Sequence, residues 1–259
     1  MKQEFLIAGN WKMNTDLSEA QILSELILNR ISNINLSDHV KILLCPPFIN
    51  LERVNSIINK SVVSLGAQNC FYEPRGAYTG EISIDMLKSA GCEFIIIGHS
   101  ERRKYFHETD SIINLKTTSV LNAGLKAIVC IGETLEERNQ NRVTEVLERQ
   151  LRVGLNNISQ NLSKNLIVAY EPVWAIGTGI AATSEQIAEA HLFIKNILKD
   201  IFPGTNILVL YGGSVDSSNS RQILSLNHVD GALIGGASLK ADIFAEIISV
   251  ANEIISIMN

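Results

Sequence analysis

The sequence predicts an α/β protein that folds as a single (β/α)₈ barrel, with eight parallel strands inside a ring of helices. Eight short runs rich in apolar and β-branched residues alternate along the chain with longer segments of helical periodicity. Most of these runs lack polar alternation, so we expect strands buried on both faces, as in a parallel sheet covered by helices. No Pro- or Ser-rich linker interrupts the chain, which predicts one catalytic domain over residues 1–259.

The predicted elements follow one another in a regular order. The strands are expected at 5–10, 40–45, 61–69, 93–98, 125–132, 166–171, 207–213 and 229–236. Helical patterns lie at 16–31, where Asp16 can serve as the N-cap, and at 135–155, 184–201 and 242–258, with weaker patterns at 46–60 and 216–226. A doubly wound open sheet is the competing fold, but "AGNWKMN" follows the first strand where that fold carries a glycine fingerprint.

The amino-acid composition indicates a globular protein and argues against several other classes. Hydrophobic residues make up 46% and charged residues 19% of the chain, which is typical of a globular protein. The formal net charge of −5 is spread without long runs, which argues against binding of nucleic acid or of an anionic membrane. No apolar stretch approaches the ~18 residues of a membrane span. The four cysteines are spaced too widely for paired metal ligands and indicate reduced thiols, so we expect a cytoplasmic protein.

Polar side chains follow several predicted strands at their carboxyl ends, where a barrel of this kind carries its active site. Asn10 ends the first strand and Lys12 comes shortly after it. His99 and Glu101 follow the fourth strand, and Glu171 ends the sixth. Taken singly, each is more often a solvated or structurally paired residue than a catalytic one. Their convergence on one face favours a catalytic site. No second His, Cys or Asp accompanies the histidine at ligand spacing, so no metal site is expected.

Glycine-rich turns follow the last two predicted strands. "YGGS" (211–214) ends the seventh, and Gly235 and Gly236 end the eighth. A single glycine pair is more often a turn than a binding site. Beside the charged strand ends, however, glycines permit close backbone approach and leave N–H groups free for an anion such as phosphate.

Five ordered motifs resemble the triosephosphate isomerase family: "GNWKMN" (9–14), "IIGHSERR" (96–103), "CIGETLEER" (130–138), "AYEPVWAIGTG" (169–179) and "YGGSV" (211–215). The resemblance runs from residue 5 to about residue 250. It implies a TIM barrel enzyme of glycolysis and gluconeogenesis that interconverts dihydroxyacetone phosphate and glyceraldehyde 3-phosphate through an enediolate. It implies no cofactor, because the carbonyl of the substrate is itself the electron sink.

The resemblance also implies a role for each matched residue. Glu171 is the base, His99 is the neutral electrophile, and Asn10 and Lys12 stabilise the oxyanion, while Glu101 has a supporting role that we interpret as orienting the lysine. The implied substrate contacts beyond Asn10 and Lys12 are Gly177, Ser214, Gly235 and Gly236. The segment 172–180 matches a lid that excludes water, which Tyr211 and Ser214 hold shut; its implied residues are Trp174, Ala175, Ile176, Thr178 and Gly179.

A long connection at 66–83 suggests an assembly contact. Loops of this length in compact domains are usually functional or disordered. The resemblance implies a homodimer in which the loop 72–82 inserts into the partner subunit, with Thr79 at its tip. The alternative is a floppy surface loop.

Departures from the family pattern lie away from the chemistry: Ile180 stands where a long residue such as lysine is frequent, and Tyr78 where phenylalanine is common. One alternative function is a sugar-phosphate aldolase on the same fold, with Lys12 as a Schiff-base amine. Another is a barrel that acts only in binding or adhesion.

Overall fold

A computed structural model of the chain describes residues 4–176 and 182–258. Eight strands close into a barrel in chain order, with every neighbouring pair parallel and the last strand paired to the first. This confirms the predicted (β/α)₈ fold. The strands are β1 (Phe5–Asn10), β2 (Val40–Cys45), β3 (Val63–Ala67), β4 (Phe94–Ile97), β5 (Lys126–Ile131), β6 (Leu166–Tyr170), β7 (Leu208–Tyr211) and β8 (Gly231–Ile234).

Helices cover the outside of the barrel. They are α1 (Leu17–Ile31), α2 (Leu51–Ile58), α3 (Ile84–Ser89), α4 (Ser100–Tyr105), α5 (Asp110–Asn122), α6 (Leu135–Asn139), α7 (Val143–Gly154), α8 (Ser184–Ile201), α9 (Ser220–Leu224) and α10 (Ala241–Met258). Short 3₁₀ helices lie at Phe48–Asn50, Gln160–Asn165, Val173–Ala175 and Gly236–Leu239. The expected cap of the first helix is present: the Asp16 side chain accepts from Glu19 N–H at 2.8 Å, and the Glu19 side chain accepts from Asp16 N–H at 2.9 Å.

The short helix α3 was not predicted, and two longer helical segments also differ from the sequence prediction. The pattern at 135–155 is two helices rather than one, because the chain between them takes a left-handed turn at Asn141, where φ is 57°. Helix α5 was not predicted. Its buried face includes Lys116 and Thr117 beside Ile113 and Val120, so polar residues interrupt the apolar stripe that would have marked it.

The apolar core has an inner and an outer part. The inner part fills the barrel with side chains from alternate strand positions: Leu6, Ala8, Leu43, Cys45, Phe94, Ile96, Ile128, Cys130, Ile167, Ala169, Leu210 and Leu233. The outer part lies between the strands and the helices. Several predicted strands extend further than the observed ones. At β7, for example, Gly212 and Gly213 leave the strand and form the rim of the barrel mouth.

Candidate active site

The carboxyl ends of the strands surround a cavity of about 430 Å³. Asn10, Lys12, His99 and Glu171 all line it, although they come from three separate strand ends. Glycine-rich loops form another part of the cavity wall, the glycine wall, with the lining residues Gly212, Gly213, Ser214, Gly235 and Gly236. A volume of this size suits a small molecule.

Lys12 reaches the cavity from a strained backbone. Its φ of 53° is left-handed, which is uncommon for a residue other than glycine. The Asn10 side chain accepts from Lys12 N–H at 3.0 Å, and the Gln68 side chain donates to Lys12 O at 2.9 Å, so both peptide groups are restrained. The Lys12 Nζ atom lies 2.6 Å from Glu101 Oε1, which agrees with an orienting role for that carboxylate. Sequence patterns give no sign of this strain.

His99 is the N-cap residue of α4, and its two ring nitrogens have different partners. Nδ1 accepts from Glu101 N–H at 3.2 Å, and Nε2 lies 2.9 Å from Glu171 Oε1. Because Nδ1 accepts a backbone hydrogen bond, the neutral ring carries its proton on Nε2, the nitrogen that faces Glu171. Only 6% of the residue is exposed, so the helix terminus fixes the ring within the wall of the cavity.

Glu171 is a buried carboxylate with two hydrogen-bond donors. Its Oε2 accepts from Ser100 N–H at 2.9 Å, while Oε1 faces His99 Nε2. Burial is the strongest single influence on its pKa and raises it. The charge and the hydrogen bond of His99, the Ser100 N–H and the charge of Lys12 together outweigh burial, so the pKa of Glu171 is lowered.

The same contact raises the pKa of His99. Burial, again the largest influence, lowers this pKa, but the charge and hydrogen bond of Glu171, with a smaller contribution from Glu101, raise it above the ordinary value. In this arrangement the carboxylate therefore favours the imidazolium. The neutral imidazole expected from the sequence remains a prediction for the state in which Glu171 has turned away from the ring, since burial and the Glu101 N–H then both disfavour a second proton.

Two glycines bring other strands against Glu171. A Cβ atom on Gly132 would lie 1.7 Å from the carbonyl oxygen of Glu171, and one on Gly212 would lie 2.8 Å from its Cγ atom. A larger residue at Gly132 would displace the backbone of Glu171, and one at Gly212 would displace its side chain. Gly132 and Gly212 follow β5 and β7, so the strands on both sides of β6 hold Glu171 in place.

Glu133 was not among the predicted site residues, yet it organises the segment after Glu171. It is fully buried, and its Oε1 accepts from Trp174 Nε1 at 2.7 Å and from the Tyr170 hydroxyl at 3.2 Å. Arg138 Nη1 lies 3.2 Å from the same oxygen, and its guanidinium lies 4.8 Å from the centre of the Trp174 ring. Burial dominates here and raises the pKa of Glu133 despite these donors.

The first turn of the expected lid is the 3₁₀ helix Val173–Ala175. Trp174 and Ala175 are buried in it, and the Ser214 hydroxyl donates to Ala175 O at 2.9 Å. Ile176 lines the cavity, whereas Tyr211 is buried behind the glycine turn of β7. The predicted residues Gly177, Thr178 and Gly179, and the departure Ile180, lie outside the described residues.

The glycine wall lies next to Lys12. A Cβ atom on Gly235 would be 3.2 Å from the Lys12 Cε atom, whereas one on Gly236 would have no other atom within 4 Å. The Lys12 side chain therefore extends between Glu101 and the loop after β8. Thr79 lies apart from the cavity, exposed on the loop after β3. Its expected role concerns assembly.

Neither a metal-binding cluster nor a membrane-spanning helix is found among the described residues. Within residues 4–176 and 182–258, no group of three or more His, Cys, Asp or Glu side chains is arranged to hold a metal ion. Of the helices in the part of the chain that the structure describes, none is long and apolar enough to cross a membrane.

Comparison with known proteins gives one consistent family. The family model described as triosephosphate isomerase matches residues 5–251. A triosephosphate isomerase of Chloroherpeton thalassium is 46% identical over 254 residues, which cover 97% of this chain and 100% of that protein. One of Geotalea uraniireducens is 48% identical over 246 residues, covering 94% and 97%. A crystal structure of triosephosphate isomerase from Bartonella henselae superposes with a TM-score of 0.85 at 44% identity, covering 95% of this chain and 98% of that one.

Proposed function

Since the chain belongs to the triosephosphate isomerase family and is an isomerase, we propose that its cavity interconverts dihydroxyacetone phosphate and D-glyceraldehyde 3-phosphate with the residues described above. The reaction moves a proton between adjacent carbons through an enediolate. It needs a base, a donor to the carbonyl oxygen and a site for the phosphate. The observation that carries the proposal is the convergence of Glu171, His99 and Lys12 on one cavity that glycine-rich loops also line.

Glu171 is the proposed base. Its carboxylate is buried and has a lowered pKa, so it is ionised at neutral pH. To reach the substrate it turns away from Ser100 N–H, and it then takes a proton from one carbon and returns it to the next. A positioned general base increases the rate by roughly 10²–10⁴-fold, which corresponds to lowering the activation barrier by about 3–5 kcal/mol.

His99, Lys12 and Asn10 act on the oxygens of the substrate in this proposal. The His99 Nε2–H, released when Glu171 turns away, donates to the carbonyl oxygen as negative charge develops there. Lys12 brings a positive charge and Asn10 an amide donor to the same region. Donors fixed in advance act strongly in a water-excluded site, and both peptide groups of Lys12 are restrained for this purpose.

The phosphate is proposed to bind the glycine wall, through the backbone N–H groups of Gly235 and Gly236, through Ser214 and through the predicted contact Gly177. The open space beside Gly236 and the approach of Lys12 to Gly235 support this assignment. A lid that begins at Val173–Ala175 would exclude water, because an exposed enediolate can eliminate its phosphate.

A homodimer is the proposed assembly, in the cytoplasm, with one barrel as the catalytic domain of each subunit. Large apolar side chains are exposed on the loops that follow three adjacent strands: Met13 after β1, Ile49 after β2 and Tyr78 after β3. The loop 72–82 is internally ordered, since the Phe71 ring lies 4.4 Å from that of Tyr72 and 4.6 Å from that of Tyr78. A second copy of the chain would cover these side chains.

A coupled isomerase assay on the purified protein tests the function. We expect turnover in both directions and competitive inhibition by inorganic phosphate. A folded protein without isomerase activity would contradict the proposal, as would a covalent adduct on Lys12 after borohydride treatment with substrate, which is the result an aldolase would give. Sedimentation at micromolar concentration tests the assembly, and a monodisperse monomer would contradict the dimer.

A further inference from the structure

Gly132, the residue that follows β5, has both of its peptide groups bound by one side chain. Gln150 Oε1 accepts from Gly132 N–H at 2.8 Å, and Gln150 Nε2 donates to Gly132 O at 3.1 Å. Gln150 lies on α7 and is 5% exposed. A reciprocal pair of buried hydrogen bonds fixes both the position and the rotation of the backbone that it holds.

The backbone of Gly132 in turn lies against the backbone of Glu171. The space for a Cβ atom on Gly132 is occupied by the carbonyl oxygen of Glu171, 1.7 Å from where that atom would be. One residue earlier, Ile131 O accepts from Glu171 N–H at 2.7 Å. A shift of Gly132 is therefore transmitted directly to the residue that carries the proposed base.

The next residue, Glu133, holds the first turn of the lid. Its backbone oxygen accepts from Val173 N–H at 3.1 Å, and its side chain accepts from Trp174 Nε1 at 2.7 Å. The two-residue segment Gly132–Glu133 thus supports both the base and the beginning of the lid. The Gln150 side chain connects the first residue of this segment to α7.

From these contacts we propose that Gln150 is a positioning residue for catalysis, which acts through Gly132–Glu133 to set the placement of Glu171 and of the first lid turn. The proposal rests on the assignment of Glu171 as the base. Proton transfer is sensitive to displacements of about 1 Å, which can cost on the order of 10²-fold in rate. The proposed phosphate contacts lie mainly on the loops after β7 and β8. Among the described residues, Gln150 makes its hydrogen bonds to Gly132 and not to those loops, so phosphate binding should change much less than kcat.

The test compares three variants with the wild-type enzyme. Gln150→Leu keeps the approximate size of the side chain and removes both hydrogen bonds. Gln150→Glu keeps the reciprocal pair only while its carboxyl group is protonated, because an ionised carboxylate cannot donate to Gly132 O. Val146→Ala is the control for general destabilisation, since Val146 is a buried apolar residue on the same helix.

We expect Gln150→Leu to lower kcat by about 10- to 100-fold, with KM and the inhibition constant of inorganic phosphate changed by less than about 2-fold. Val146→Ala should retain the wild-type kcat. The activity of Gln150→Glu relative to wild type should fall as the pH rises from about 5.5 to about 8.5, whereas that of Gln150→Leu should stay constant.

A wild-type kcat in folded Gln150→Leu would overturn the role of Gln150, as would a loss of phosphate affinity that matches the loss of kcat, or a pH-independent ratio for Gln150→Glu. Failure of the underlying function is distinguishable. It would appear as an inactive wild-type enzyme, or as full activity in Glu171→Gln, whatever the Gln150 variants do.

Discussion

A buried carboxyl group lies at the end of β5 and another at the end of β6, and the pKa values of the two groups are shifted in opposite directions. Glu133 after β5 is 0% exposed and Glu171 after β6 is 2% exposed. Burial raises the pKa of both carboxyl groups. At Glu171 the imidazole of His99 and the Ser100 N–H outweigh burial and lower the pKa, whereas at Glu133 the donors do not, and the pKa is raised.

The difference shows that burial alone does not make a carboxylate a base. Glu171 faces the cavity and has a basic partner in His99, and the space beside it can admit a substrate. Glu133 faces Trp174 and Tyr170 and does not line the cavity among the described residues. The end of β6 is therefore suited to proton transfer. The end of β5 is suited to supporting the first lid turn and the backbone of Glu171.

The largest effect should come from Glu171→Gln, which retains the shape of the side chain and removes its basicity. We expect kcat to fall by roughly 10²–10⁴-fold in a coupled isomerase assay. The inhibition constant of inorganic phosphate should change little, because the proposed phosphate wall lies on other strand ends. Normal turnover by this variant would show that the base has been assigned to the wrong strand end.

The sequence predicts Glu171 and misses Glu133 for a physical reason. Both glutamates directly follow a buried apolar run, so each charge must lie near the mouth of the barrel, but Glu171 is followed by proline and apolar residues, so it stands out as a single charge. Glu133 begins an acidic stretch with Glu136 and Glu137, which has the composition of a solvated helix start. Only the packing of β5 against the lid turn shows that the first of these three is fully buried while Glu136 is exposed.

Other parts of the structure also differ in whether the sequence predicts them. The barrel was predictable because strands buried on both faces leave a continuous apolar signal in the sequence. The left-handed backbone of Lys12 could not be predicted, and neither could the hydrogen bonds between Gln150 and Gly132, because each depends on groups distant in the chain. Helix α5 was missed because its buried Lys116 is paired with Glu108 at 2.6 Å, a partner that no local pattern indicates.

A smaller effect is expected from Glu133→Gln. The variant keeps an acceptor for Trp174 Nε1 and for the Tyr170 hydroxyl. It loses the negative charge that pairs with Arg138. The first lid turn should be held less firmly, and we expect kcat/KM to fall by about 10-fold, equivalent to about 1.4 kcal/mol. The matched control is Glu136→Gln, an exposed position in the same segment, which should be neutral. Equal losses in the two variants would contradict the assigned role.

The smallest effect is the pH dependence of stability, which the opposite pKa shifts of Glu133 and Glu171 influence in opposite directions. The pKa of Glu133 is raised above the ordinary value of 4.5, so the folded state retains this proton longer than the unfolded state does, and the group favours folding more as the pH falls through its folded pKa. The pKa of Glu171 is lowered, so its contribution to stability is complete above about pH 4.5 and is lost as the pH falls through its folded pKa.

Because Glu171→Gln also removes the partner of His99, differences in unfolding free energy mix two titrations in that variant. Direct titration of the glutamate carboxyl carbons by ¹³C NMR separates them, with Glu133→Gln and Glu171→Gln used to assign the two signals. We expect the Glu133 signal to titrate above 4.5 and the Glu171 signal below it. If both signals moved in the same direction, burial would dominate at both strand ends, and the contacts of Glu171 with His99 and Ser100 would not distinguish the base from its neighbour.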